Sequence, residues 1–124
     1  MGELKSSVIK VTNINLSGMC YTDKFSVMWQ NGSSVPITVK LDFEIDKLYI
    51  ISSIDQSRID SGLNRPVCYY NGSVYLLNSR NNDQYWYKYK NIGILFVNGK
   101  EFTYAPPYGD ETKEFQYFAW KKEE

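Results

Sequence analysis

Apolar and polar positions alternate without a break from Val35 to Ile45. Val35, Ile37, Val39, Leu41, Phe43 and Ile45 take the odd positions. Pro36, Thr38, Lys40, Asp42 and Glu44 take the even ones. Successive side chains of a strand point to opposite faces. The stretch therefore predicts one long strand with its odd residues on a core face, and the fold is expected to be organised around it. Just upstream, Phe25 to Gln30 reads as a strand with Phe25, Val27 and Trp29 on one face, and Asn31-Gly32 signals a hairpin. A two-residue loop would set Met28 opposite Val35 and mix the faces. A three-residue loop, Asn31-Gly32-Ser33, sets Trp29 opposite Val35 and keeps the apolar residues together, so that register is expected. Pro36 has no N–H for a ladder and should face an edge or a bulge.

The same pattern recurs along the chain. Ser7 to Leu16 reads as a first strand, and Met19-Cys20-Tyr21 as a short strand or an extended connection. Asp23-Lys24 and Asp46-Lys47 read as polar turns, and Leu48 to Ser52 as a strand. Ser53 and Gln56 have capping-box spacing and Gly62 can end a helix, which predicts one short helix over 54–61. Val67 to Tyr70 and Ser73 to Leu77 flank Asn71-Gly72, a second hairpin whose two-residue loop suits both faces. Val67, Tyr69, Val74 and Leu76 share one side; Cys68, Tyr70, Tyr75 and Leu77 share the other. Apolar character on both faces predicts cover on both. Asn78 to Gln84 consists of turn residues and reads as a loop, followed by a strand from Tyr85 to Lys90. Around Asn98-Gly99 a third hairpin groups Leu95, Val97, Phe102 and Tyr104 on one face. Ala105 to Asp110 is a proline-stiffened loop. The aromatic run from Phe115 to Trp120 fits a strand better than a helix. About eight strands joined by Asn-Gly turns predict one all-β domain over residues 1–124, an antiparallel β-sandwich or small barrel with one short helix.

Charge narrows the partners. Lys plus Arg and Asp plus Glu number 14 each, so the net charge is zero. Duplex nucleic acid, which demands many basic phosphate contacts, is not an expected partner. No apolar run has membrane-spanning length and no secretory signal opens the chain, so the expected location is cytoplasmic, the host cytoplasm if the origin is viral. The thiols of Cys20 and Cys68 are then expected reduced. Met1 to Ser6 fits the N-myristoylation pattern, which is short enough to occur by chance. Of three Asn-x-Ser sequences, at Asn15, Asn31 and Asn71, the last two read as turns.

The chain contains no His. That removes the commonest general base and the commonest transition-metal ligand. Two cysteines cannot complete a four-ligand zinc site. With no nucleophile-elbow motif and no phosphate-cradling glycine loop, the chain is expected to be non-catalytic and to carry no cofactor or metal. Both cysteines read as small buried side chains. Asp42, Glu44 and Asp46 alternate on the outer face of the long strand, where acid/base or cation chemistry is conceivable and a solvated, aggregation-blunting face is simpler.

Binding remains. The three arginines, Arg58, Arg65 and Arg80, fall in or beside predicted loops, and a guanidinium grips phosphate or carboxylate through its planar fork. Tyr85 and Tyr87 could stack on a planar ring beside them. These five residues form the candidate ligand site. The expected function is capture of a small anionic, nucleotide-like ligand, as in a phage or mobile-element accessory protein that sequesters a host signal. Two alternatives stay open. One is an inhibitor or structural subunit that meets a protein partner, or a second copy of itself as a homo-oligomer, through an aromatic β surface. The other is a carbohydrate-binding module using Tyr, Trp and the Asp42/Glu44 pair.

Overall fold

A computed structural model of the chain describes residues 10–11, 14–52, 66–80, 83–89, 95–106 and 114–123. Among the described residues the regular structure is all β, in twelve strands. They are β1 (Lys10–Val11), β2 (Tyr21–Ser26), β3 (Met28–Gln30), β4 (Ser33–Val35), β5 (Ile37–Lys40), β6 (Ile45–Ser52), β7 (Val67–Tyr70), β8 (Ser73–Arg80), β9 (Asp83–Tyr89), β10 (Leu95–Asn98), β11 (Glu101–Tyr104) and β12 (Glu114–Lys121). The expected helix over 54–61 lies outside the described residues. All strand pairs are antiparallel. A seven-stranded sheet runs β1-β9-β8-β7-β6-β12-β2, a three-stranded sheet runs β10-β11-β5, and β3-β4 form a separate ribbon. The sheets pack together, and the described strands close no barrel.

The core lies between the two larger sheets. Leu48 and Ile50 of β6, Val67 of β7, Val74 and Leu76 of β8, and Phe115, Tyr117 and Ala119 of β12 meet Leu95, Phe102 and Tyr104 of the smaller sheet. Phe25 of β2 is the hub of an aromatic cluster. Its ring centroid lies 5.7 Å from that of Phe115, 5.8 Å from Tyr104, 5.9 Å from Phe102 and 6.0 Å from Tyr117. Such tilted and offset ring pairs gain energy beyond the area they bury.

The long alternating stretch is not one strand. It is divided among β4, β5 and β6, in three different sheets. Pro36 interrupts the ladder between β4 and β5 because it has no N–H to give. A bend at Asp42-Phe43 then carries the chain from the small sheet to the large one. Leu41 N–H and Ile45 N–H donate to the carbonyls of Lys100 and Gly99 at 2.8 and 3.0 Å, which fixes the corner to the β10–β11 turn. The face assignment nevertheless holds through the corner. Ile37, Val39, Leu41 and Phe43 pack against the core and Ile45 is buried in it, while Thr38, Lys40, Asp42 and Glu44 are exposed.

The first hairpin also departs from expectation. Its loop has two residues, with Met28 opposite Val35 and Trp29 opposite Ser34. Asn31 and Gly32 both have positive φ, 53° and 79°, the signature of a type I′ turn. Turn chemistry set this register: the ribbon is a small sheet of its own that lays Trp29 against the core and leaves Met28 exposed. Asp23-Lys24 and Asp46-Lys47 are strand rather than turn, in β2 and β6. β2 is an edge strand with only Phe25 buried, and charge is tolerated there. The polar run from Asn78 likewise extends β8 to Arg80, and β9 begins at Asp83 opposite it.

Candidate functional site

The second hairpin forms with the expected register, Val67 opposite Leu76 and Cys68 opposite Tyr75. Its core-facing residues belong to the interior described above. Its other face continues across the sheet. Tyr75, Cys68, Tyr49, Phe118 and Thr22 stand in one cross-strand row, and Lys47 and Trp120 in the next. The outer face of the large sheet is therefore rich in aromatics as well. The Tyr49 and Phe118 rings lie 5.8 Å apart.

The aromatic row borders a shallow open groove of about 440 Å3, lined by Leu16, Gly18, Cys20, Tyr49, Phe118 and Trp120. Three contacts hold its end in place. Trp120 Nε1–H donates to the Gly18 carbonyl at 3.3 Å. Lys47 Nζ sits 5.8 Å from the Trp120 ring and 6.0 Å from the Tyr70 ring, a cation shared by two π faces. The same ammonium donates to the Asn15 carbonyl at 3.2 Å, tying the segment before Gly18 to the sheet. Between Trp120 and Lys121 the β6–β12 register slips by one residue, a bulge that leaves Asp46 of β6 without a partner position in β12.

Two further depressions continue from the groove. One, of about 500 Å3, shares Gly18 and Trp120 with it and adds Asp46, Lys47, Lys121, Lys122 and Glu123. The other, of about 560 Å3, shares Lys121, Lys122 and Glu123 with the second and adds Asp42, Glu44 and Lys100. A backbone bond from Lys122 N–H to the Glu44 carbonyl, 2.9 Å, closes the far end onto the β5–β6 corner. Asp42 and Glu44 thus face a depression from the corner, rather than standing in line on a flat strand. Among the described residues, no three or more His, Cys, Asp or Glu side chains gather as a metal site would require.

The arginine-centred site is only partly in view. Arg58 and Arg65 lie outside the described residues. Arg80 is the last residue of β8, within the ladder and opposite Asp83, rather than in a loop. In the β8–β9 ladder Tyr85 is in register with Asn78 and Tyr87 with Leu76. In strand order Arg80, Tyr85 and Tyr87 are removed from the aromatic groove, which spans β6, β12 and the approach to β2.

The cysteines differ in environment. Cys68 is buried, and burial pushes its thiol up to about 12. Cys20 is exposed at the groove, against the expectation of a buried side chain, because it precedes an edge strand rather than entering the core. The groove residues were hard to find in sequence. Phe118 and Trp120 stand in the aromatic run that its pattern marks as a strand, as β12 is, but the pairing that brings Tyr49 beside Phe118 is non-local.

Among the described residues, no helix is long and apolar enough to cross a membrane. No family model, no curated protein and no solved structure matches the chain.

Proposed function

We propose that the protein is a non-catalytic binding module that holds a ring-bearing ligand against the outer face of its large sheet. The observation that carries this reading is the groove lined by Tyr49, Phe118 and Trp120. Aromatic side chains on a rigid sheet present flat apolar surface at little entropic cost, and their polar tips can fix orientation. Trp120 is anchored by its bond to Gly18 and by Lys47, so the surface is organised before any ligand arrives. The exposed Cys20 thiol lines the groove, but no His in the chain can act as its base. The buried Cys68 thiol is held protonated at neutral pH, unfit as a nucleophile.

An anionic, nucleotide-like ligand gripped by Arg58, Arg65 and Arg80 with Tyr85 and Tyr87 is carried by residue chemistry alone. A thermal-shift panel separates the two sites. A ligand at a hundred times its Kd stabilises by about 2.7 kcal/mol, a rise of roughly 10 °C for a domain of this size. For the groove, Phe118→Ala abolishes the rise and Arg80→Ala leaves it. The opposite pattern moves the site to the arginines.

A further inference from the structure

We infer that the ligand of the aromatic groove is an uncharged oligosaccharide, lying along the C-terminal half of β12 with more than one sugar ring engaged. This rests on the reading that the groove is the binding site, and it adds the class of ligand.

Three features carry it. The first is shape. The aromatic groove and the two depressions beyond it share residues pairwise, Gly18 and Trp120 and then Lys121 to Glu123, so they adjoin in series along a track past the end of β12. Phe118 to Lys121 alone covers about 10 Å at strand rise, and the track continues past it to the corner at Glu44. A single small ring fills only one part of it. An extended chain of rings fits the whole.

The second feature is charge. The linings of the two polar depressions together hold four ammonium groups, Lys47, Lys100, Lys121 and Lys122, and four carboxylates, Asp42, Glu44, Asp46 and Glu123. A phosphate-bearing ligand calls for a concentration of positive charge, and every lysine here has acids in the same lining. No arginine fork is among these residues. A mixed lining suits hydroxyl groups, each of which both donates and accepts. Carboxylates take the donated proton and ammonium groups supply the return bond.

The third is the order of surfaces along the track. It begins with the half-buried Tyr49 and Phe118, backed by the buried Trp120, whose rings offer apolar surface to the C–H face of a sugar, and passes to a polar section where hydroxyls would be met. Sugar rings have one apolar face and a polar rim, and this arrangement matches both.

The test is a titration of the full chain by NMR and calorimetry. The probes are gluco-, chito- and xylo-oligosaccharides of one to six rings and a panel of mononucleotides. Expected is a saccharide series whose affinity rises at least tenfold from one ring to three, with shifts confined to β12, β6 and the segment around Gly18. Raising salt from 50 to 300 mM should change that affinity less than twofold. Phe118→Ala should weaken it at least tenfold with an unchanged circular dichroism spectrum. Should Phe118→Ala unfold, Asp46→Asn at the exposed rim should still lower affinity for the longer oligomers and spare the monosaccharide. Nucleotides that bind the groove in a salt-sensitive way overturn the inference and leave the groove as the binding site. Silence of the groove toward both panels overturns the inference and the site together.

Discussion

At the scale of single residues, the two thiols make the sharpest contrast. Thr22 stands opposite Phe118, Phe118 opposite Tyr49 and Tyr49 opposite Cys68. Three strand spacings of about 4.8 Å therefore separate the strand that Cys20 leads into from the strand of Cys68. A disulfide needs its Cα atoms within about 7 Å, so no Cys20–Cys68 bridge can form in this fold. Burial, which raises the Cys68 thiol to about 12, removes the thiolate as well as the access. A colorimetric thiol reagent should label one thiol per native chain, Cys20, and two in denaturant. Cys20→Ser should abolish the native signal. Rapid native labelling of Cys68 would contradict its burial on the face of β7 that it shares with Tyr75 and Tyr49.

At the scale of elements, the hairpins show what could be read from the chain and what could not. Asn-Gly marked the turns of the first two hairpins correctly. Asn31 and Asn71 both adopt positive φ ahead of glycines at 79° and 78°. Alternation also assigned faces correctly from Ile37 to Ile45. It did not report which strand each residue pairs with, because a chain that turns a corner keeps its inner face inward while changing sheets. The three-residue loop inferred for the first hairpin failed for another reason. The two-residue turn preferred by Asn31-Gly32 outweighed the grouping of faces, so the β3–β4 ribbon turns Trp29 to the core and leaves Met28 exposed. In the third hairpin the loop is Gly99-Lys100, with Gly99 at φ 63° in the first central position. That shifts the pairing by two residues from an Asn98-Gly99 loop, so every face assignment survived. The groove was the least legible part, since it depends on β12 lying between β6 and β2, strands distant in sequence.

The two Asn-Gly turns now make a matched pair. A Cβ added at Gly32 or Gly72 meets nothing within 4 Å, so only backbone strain opposes alanine there. A non-glycine residue in the left-handed region costs about 1 kcal/mol or slightly more. In Gly72→Ala that cost falls on a hairpin inside the large sheet and should lower the melting temperature by roughly 4 °C. In Gly32→Ala it falls on a ribbon outside the sheets. Faster amide exchange confined to β3 and β4 is expected there, with little change in global melting. Equal global losses in the two variants would mean that the ribbon is integral to the cooperative unit.

At the scale of the whole molecule, the two larger sheets are joined by an aromatic interface that contains two phenols. Tyr104 of the small sheet packs edge-on to Phe115 at 5.3 Å, and Tyr117 of the large sheet packs against Phe102 at 5.2 Å. Burial raises the pKa of Tyr104, and it raises Tyr117 to about 12, with help from neighbouring Tyr21 and Asp23. Cys68 adds a third group raised to about 12. In each case the folded chain keeps a proton that the unfolded chain releases at lower pH. The contribution of the two tyrosines is therefore complete below about pH 9 and that of Cys68 below about pH 8, where both states hold their protons. It drains away as pH rises toward the folded values, by up to about 1.4 kcal/mol per pH unit for each group. Three groups acting over two pH units approach the whole 5–15 kcal/mol typical of a domain, roughly. The denaturant midpoint should accordingly hold steady from pH 7 to 8, begin to slip by pH 9 as the unfolded thiol ionises, and fall steeply between 10 and 12. In a Tyr104→Phe/Tyr117→Phe double variant the rings stay and two of these protons are gone from the balance. Its midpoint should fall less steeply over the same interval, with Cys68 and Tyr49, whose phenol burial also pushes up, accounting for the remainder. A double variant as alkali-labile as the parent would show that the sheet interface is not where alkali acts.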